Sequence, residues 1–438
     1  MIKTPLSTVI GGAFWTPGAT VINGAKLSFE IVMKKLFANG EQGFYQDPYD
    51  LGVMYQDAAG TAAVNATGQP LGLVLDKSKG LALSANVIPV LDMTTSAWVS
   101  SSGGGVASFT ANSITTSAVG GRISSSLLQS KKWYKFSLDF VKTGTNEFSI
   151  QVQDFVGRVA KSSATSGKLY GIGYTGNAPS LYFRLSAAGS VTISNFVIQE
   201  LSGNHAYQTT SAARPIFRQK PILGSELVVN GDFSNGTTGW SYSGCTFTVE
   251  GGIAKILATG GVPARIQRTI TTEIGKTYRL SLFTQKPSGS GVAVGAWIAS
   301  VSTIYSRSSQ GVVQEAVFTA TATSYTLNID MGSSVTAGEV AYIDNVSVKE
   351  VLGYRTDQNY IAYDGVDDKL ITNLPAQLTG CTVVRSVPNV GTQILTSQTI
   401  PATYEDNKDH CGLIVINRAL TPSETSAIAA EFNKRAGV

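Results

Sequence analysis

Histidine is nearly absent from these 438 residues; the only two are His205 and His410. Neither lies in an HExxH helix or beside a GxSxG nucleophile elbow, so the hydrolase chemistries those motifs carry are not written in the chain, and structural or surface roles are expected for both. Cysteine is also scarce. Cys245, Cys381 and Cys411 are too few for a disulfide scaffold and lack CxxC or Cys/His zinc spacing, so synthesis in a reducing cytoplasm is expected, with Cys381 and Cys411 as buried thiols. Charged residues make up 14% of the chain and leave a net charge of +4, with no run of five like charges. A nucleic-acid binder held by a basic stripe is thereby excluded. No apolar run approaches the roughly 18 residues that cross a bilayer, so no membrane insertion is expected. The opening MIKTPLSTVIGGAFWTPG has Lys3 but no continuous apolar centre, unlike a secretion signal.

What the chain does have is 43% apolar residues in short pieces, 46 glycines, and a weak internal repeat of about 110 residues. One copy has Trp98, Lys132-Trp-Tyr-Lys-Phe-Ser-Leu138 and a closing Ile193-Ser-Asn-Phe-Val-Ile-Gln-Glu-Leu201. The other has Trp240, Lys276-Thr-Tyr-Arg-Leu-Ser-Leu282 and a closing Ile343-Asp-Asn-Val-Ser-Val-Lys-Glu-Val351. Within each copy the apolar residues alternate with polar ones, the period of half-buried strands, and Gly- and Ser-rich breaks replace any helical period. An all-β fold built on antiparallel jelly-roll sandwiches follows. Outside the repeats, Leu27 to Ala38 has helical spacing and stops at Asn39-Gly40, and Thr421-Pro-Ser-Glu424 is a capping box opening a helix over about 422–435. Short N- and C-terminal helices thus bracket the β-rich body.

The second repeat resembles the carbohydrate-binding-module jelly rolls, through Glu226-Leu-Val-Val-Asn-Gly-Asp-Phe233, Gly239-Trp240, Gly275-Lys-Thr-Tyr278 and Tyr342-Ile-Asp-Asn-Val346. The first resembles them through its second half alone. The flanks resemble the laminin-G-like (concanavalin-like) domains of bacteriophage virion proteins. That likeness rests on Leu36-Phe-Ala-Asn-Gly-Glu-Gln-Gly43, Asp47-Pro-Tyr-Asp-Leu51, Tyr55-Gln-Asp-Ala-Ala-Gly60, Gly68 to Ser78, Gly203-Asn-His-Ala206, Asp364-Gly-Val-Asp-Asp368 and Asn417 to Glu424. In that family these pieces nearly abut; here two joins are each split by a stretch the length of one repeat. The resemblance therefore implies a laminin-G-like sandwich assembled from 41–80, 202–224 and 352–438. It carries two inserted jelly-roll modules, 81–201 and 225–351, behind an N-terminal docking segment and helix at 1–40.

Sugar rings stack their CH faces on aromatic side chains, so Trp240, Tyr242, Trp297 and Tyr305 are the glycan-binding candidates of the second module. The alternative is that they are core, Trp240 above all. Trp98, Trp133 and Tyr182 pose the same question in the first module. Carbohydrate modules of this type often hold a structural calcium where the opening and closing strands meet, and the resemblance places Glu226, Asp232 and Asp344 there. The alternative is that Asp232 caps a turn and Asp344 bonds locally. Asp367 and Asp368 could suggest a glycosidase pair, but adjacent strand residues face opposite ways, and an Asp-rich turn describes them better.

No catalytic residue is assigned and no enzyme is expected. The resemblance implies a phage virion structural protein, a tail fibre, tail tip or capsid decoration made in the bacterial host cytoplasm, displaying glycan- or host-surface-binding modules. Other virion proteins would dock on residues 1–40 through Phe14, Trp15, Val21 and Ile22, or through the helix and Gly43 to Pro48; the alternative for the helix and Gly43 to Pro48 is that they pack against the laminin-G-like domain. A host surface glycan is the partner the resemblance suggests, and it allows a homo-oligomer, a trimer as in fibres. The competing reading is a tailspike-like polysaccharide depolymerase.

Overall fold

The computed structural model describes residues 8–10, 13–15, 29–101, 106–117, 121–152, 160–177, 179–260, 262–286, 293–298, 301–306, 311–332 and 335–438. The fold is all-β with two helices, and the chain divides into two compact units: Met1–Gln219 with Thr356–Val438, and Lys220–Arg355.

The repeat is a duplicated sandwich, strand for strand. In the first copy one sheet runs Ser166–Tyr174, Trp133–Lys142, Gly189–Glu200, Ser113–Thr116, Val106–Phe109; the other runs Ala160–Ser162, Phe148–Val152, Leu181–Leu185, Arg122–Ser125, Trp98–Ser101. The second copy lays Val312–Thr319, Thr277–Gln285, Val340–Ala362, Ile253–Ala258 and Cys245–Glu250 in one sheet. Ser302–Ser306, Val294–Ile298, Ser324–Asp330, Arg265–Thr271 and Ser241–Ser243 form its other sheet. Ten strands thus occupy the same places in the same chain order.

The matching residues of the two copies do matching work. Lys132 pairs with Glu200 at 2.7 Å, and Lys276 with Glu350 at 3.2 Å. The hydroxyl of Tyr134 accepts from Gln129 N at 2.9 Å and that of Tyr278 from Glu273 N at 2.8 Å, each five residues back, in the manner of a tyrosine corner. Asn195 (φ 51°) and Asn345 (φ 52°) take the left-handed conformation that asparagine tolerates, where the closing strand slips register against its neighbour as a β-bulge.

In the first unit, pieces far apart in sequence share one sheet: Thr403–Asp406, Leu370–Asn373, Ala206–Tyr207, Leu73–Val74, Met54–Tyr55. A four-stranded sheet, Gly43–Gln46, Gly412–Ile416, Leu378–Val387, Gly391–Ile400, completes the body. Its strand Gly412–Ile416 is buried along its whole length because both faces are covered. Leu413 and Val415 pack with Phe44 and Cys381, while Ile414 and Ile416 pack with helices α1 (Phe29–Leu36) and α2 (Pro422–Ala436). This explains an unbroken apolar run where a half-buried strand would alternate.

α1 buries Val32, Met33 and Leu36 against Ile428 and Phe432 of α2, and Gly43–Gln46 is a buried strand of the four-stranded sheet. The apolar faces of the helix and of this strand, offered above to a docking partner, are covered within the unit. Farther upstream the backbone of Thr8–Ile10 pairs with Ala13–Trp15; the side chains of Phe14 and Trp15, and Val21 and Ile22 altogether, lie outside the described residues. α2 starts on the anticipated capping box of Thr421 and Glu424, and near its end Arg435 reaches Asp47 at 2.8 Å.

Asp76 binds the interrupted segments together. Its fully buried carboxylate accepts from Tyr45 N, Ser78 N, Ser78 Oγ and Asn204 N, each at 2.8 Å, and so joins chain from 45, 78 and 204. Asp76 N in turn donates to Nδ1 of buried His205 at 2.8 Å, and the His205 ring lies 5.2 Å from that of Trp133 in the first sandwich. That sandwich shares a continuous core with the segmented sheet, since Phe136, Ile172 and Trp133 pack in one cluster with Leu73, Val74 and Phe217. Both histidines are fully buried. His410 Nε2 lies 3.2 Å from Asp406 without hydrogen-bond alignment, and burial lowers its pKa against the pull of Asp406.

Burial pushes His205 down to about 3, so it is neutral in the folded chain. The unfolded chain takes up the proton near pH 6.5, so stability is full above that value and is lost as pH falls from 6.5 toward 3. Urea melts at pH 7 and pH 4.5 should show this loss. His205→Asn, which offers an acceptor to Asp76 N without a titrating ring, should be less stable than wild type at pH 7 but lose less between the two pH values.

Candidate functional site

The small sheet of the second sandwich turns one face to its core and the other outward, and the pairing register says which residues share the outer face. At one level across the strands stand Tyr305, Gly295, Asp330, Arg265 and Ser243; at the next stand Thr303, Trp297, Asn328, Gln267 and Ser241. Inner positions Ala296, Ile329 and Ile266 are fully buried, which anchors this alternation.

Asp330 organises the outer face. Its Oδ2 accepts from Trp297 Nε1 at 2.8 Å and Arg265 Nε at 3.1 Å, and Oδ1 accepts from Gly332 N at 3.0 Å. Arg265 closes on Asp330 through Nη2 at 3.1 Å and lies over the Trp297 ring, 4.9 Å from its centroid. Trp297 is therefore fixed in orientation by a hydrogen bond at its edge and a cation on one face, while remaining partly exposed. Beside it Gln267 Nε2 donates to Asn328 Oδ1 at 2.6 Å, and Asn328 Nδ2 to Thr326 O at 2.9 Å. An open groove of about 670 Å³ continues along Ser241, Gln267, Thr269 and Thr326, bounded by Gly239, Trp240 and Arg268. A fixed indole beside amide and hydroxyl groups is the chemistry that meets a flat, hydroxyl-rich ring.

The sequence candidates separate accordingly. Trp297 stands on this face. Trp240 is 7% exposed, packs on Phe233, and donates Nε1 to Asn230 O at 3.0 Å, which makes it a packing residue beside the groove. Tyr242 is 58% exposed but pairs with Ile266 and meets Phe247 edge-on, so it is not on the face of Trp297. Tyr305 shares the face by register, and its side chain lies outside the described residues. The residues missed from sequence are Asp330, Asn328, Arg265 and Gln267. Only their cross-strand register brings them to Trp297, although alternation in Arg265-Ile-Gln267 and Asn328-Ile-Asp330 placed each pair on one face.

The three acids expected to hold calcium are each engaged by protein donors. Glu226 Oε1 accepts from Leu227 N, Val228 N and Val348 N, and its Oε2 from Ser347 Oγ. Asp232 caps Ser234, and Asp344 bonds Asn345. Among the described residues the trio of acids with carboxylate oxygens within 4.8 Å is instead Asp364, Asp367 and Asp368. Glu226, Asp232 and Asp344 are not such a trio. Asp367 and Asp368 lie in a turn and not on a strand, where Asp364 Oδ1 accepts from Val366 N, Asp367 N and Asp368 N.

No family model and no curated protein matches the chain. Solved structures with similar β-sandwiches include carbohydrate-binding modules. The tandem CBM22-1–CBM22-2 domain from Paenibacillus barcinonensis Xyn10C is 14% identical, covering 67% of this chain and 100% of its own, with a TM-score of 0.25. A family 16 carbohydrate-binding module is 19% identical over 28% of this chain and 98% of its own, with a TM-score of 0.22. TmCBM61, solved with β-1,4-galactotriose, is 13% identical over 28% of this chain and 98% of its own, also at 0.22. At such scores these likenesses carry no ligand to this chain.

A calcium ion bound only by the folded state would raise the melting temperature of the chain in calcium over that in chelator, an increment lost in Asp344→Ser. Equal melting in both media, with the variant equally indifferent, leaves hydrogen bonding as the role of these acids.

Proposed function

We propose that the chain is a glycan-binding protein whose second module takes a neutral saccharide on the outer face of its small sheet. The observation that carries the reading is Trp297, partly exposed yet locked by Asp330 and Arg265, on the same face as Gln267, which stands one strand beyond Asn328 and lines the groove. A locked ring loses little conformational freedom on stacking, so more of the contact energy appears as affinity. The amide of Gln267 and the hydroxyls of Ser241 and Thr269 supply the hydrogen bonds that orient sugar hydroxyls.

The place of such a binder on a bacteriophage particle, as tail fibre, tail tip or decoration, is supported by the sequence resemblance of the flanks to virion laminin-G-like domains. Binding is favoured over a depolymerase because glycosidic cleavage asks for two carboxyls across a sugar. The acids grouped by the structure are capped into a turn by their own backbone. Purified protein should release no reducing ends from bacterial surface polysaccharides; release abolished by one Asp or Glu substitution would establish the depolymerase.

Trp297→Ala should weaken binding to a neutral surface polysaccharide by about tenfold or more while the melting temperature moves by a few degrees, as read by affinity electrophoresis and circular dichroism. Unchanged affinity with an intact fold would remove this face from the function. Tyr242→Ala should leave affinity unchanged.

A further inference from the structure

The two sandwiches differ where their shared topology makes them directly comparable. The strands equivalent to Arg265–Thr271, Ser324–Asp330 and Val294–Ile298 are Arg122–Ser125, Leu181–Leu185 and Phe148–Val152. Pairing aligns Arg122 with Arg184 and Arg184 with Ser149, as it aligns Arg265 with Asp330 and Asp330 with Gly295. An arginine is thus kept at one position, while at the next the acid that neutralises it is replaced by a second arginine. The ring is kept but moved one strand over. Tyr182 stands where Asn328 does, and Arg122 lies over it, 5.0 Å from the ring centroid, as Arg265 lies over Trp297.

The consequences are electrostatic. Arg265 and Asp330 cancel; Arg122 and Arg184 add to +2 on directly opposed positions of neighbouring strands, a pairing that costs stability when nothing lies between the charges. No ion pair or hydrogen bond among the described residues reaches the guanidinium of Arg184, and the Nε of Arg122 is shut from water with no acceptor, whereas the Nε of Arg265 donates to Asp330. Lys161 stands across Ser149 on the same face, held by Glu147 at 3.0 Å. Arginine forks match carboxylate and sulfate oxygens bidentately, and the nearby Tyr182 and Gln151, both partly exposed, are suited to a sugar ring and its hydroxyls.

We propose that the first module binds an acidic glycan, carboxylated or sulfated, across Arg122, Arg184 and Tyr182, so that the two copies of one sandwich take sugars of different charge. The proposal rests on the reading that this sheet face meets glycans. It differs from that reading in ligand class and in residues, and so can fail separately.

The test uses the full chain and matched probes: polygalacturonate against its fully methyl-esterified form, and dextran sulfate against dextran. The chain should bind at least one anionic member and prefer it at least tenfold over its neutral partner. That affinity should fall several-fold between 50 mM and 300 mM NaCl, since screening weakens exposed charge contacts. The double variant Arg122→Gln/Arg184→Gln should lose at least tenfold. Arg184→Asp, which rebuilds the neutral pair of the second copy, should do the same with melting unchanged or raised. Lys135→Gln/Lys168→Gln, which removes equal charge from the other sheet, and Trp297→Ala should leave anionic binding intact. Which anionic probe binds tells carboxylate from sulfate. Equal binding of charged and neutral partners, no binding to either anion, or the same loss in the lysine control as in the arginine variant would overturn the proposal. A loss of neutral-glycan binding in Trp297→Ala alone bears on the second module and leaves this proposal standing.

Discussion

The first unit depends on one buried carboxylate. Asp76 sits where a strand from the start of the chain, the segment before the first sandwich and the segment after it come together, and its oxygens accept from all three. A buried carboxylate is costly unless its lone pairs are filled, and removing any of these segments would leave it unsatisfied. Burial raises its pKa, against the pull of the donors from Asn204, Tyr45 and Ser78. The same residue holds His205 through its backbone N–H, and His205 reaches Trp133, so one network joins the segments on either side of the first sandwich to the sandwich itself. This accounts for the shared core: the sandwich is not tethered by its ends alone but packed into the segmented sheet.

Arg435, near the end of α2, forms a second junction. It binds Asp47 and Glu431 and lies over the rings of Phe29, Tyr49 and Phe432. A cation enclosed by carboxylates and aromatic faces on elements nearly 390 residues apart ties the C-terminal helix to the beginning of the fold.

Duplication separates what the sandwich needs from what each copy does with it. The lysine–glutamate pair, the tyrosine hydroxyl on an upstream backbone N–H and the left-handed asparagine at the bulge recur because they set the closing strand against its neighbour. The outer faces of the small sheets are free of that requirement and have diverged, with an internally neutral cluster around Trp297 in one copy and two opposed arginines in the other.

The all-β class, the duplication and both helices were legible in the sequence, because they rest on local signals: alternation, recurring Lys-x-Tyr and Asn-x-x-x-x-Glu spacings, and a capping box whose bonds close within four residues. The Gly-Asn-His-Ala and Asp-Lys-Ser pieces could be picked out in the sequence but not as ligands of each other, since their bonds span about 128 positions. Trp297 could be named as a candidate, yet its lock could not, because Asp330 and Arg265 reach it only through a register set by the pairing of three strands. For the same reason Tyr242 could not be told from it, whereas the Gly-Trp position already marked Trp240 as a packing residue. Every aromatic in an alternating strand has a face, and which face meets water is decided only when the second sheet covers the other.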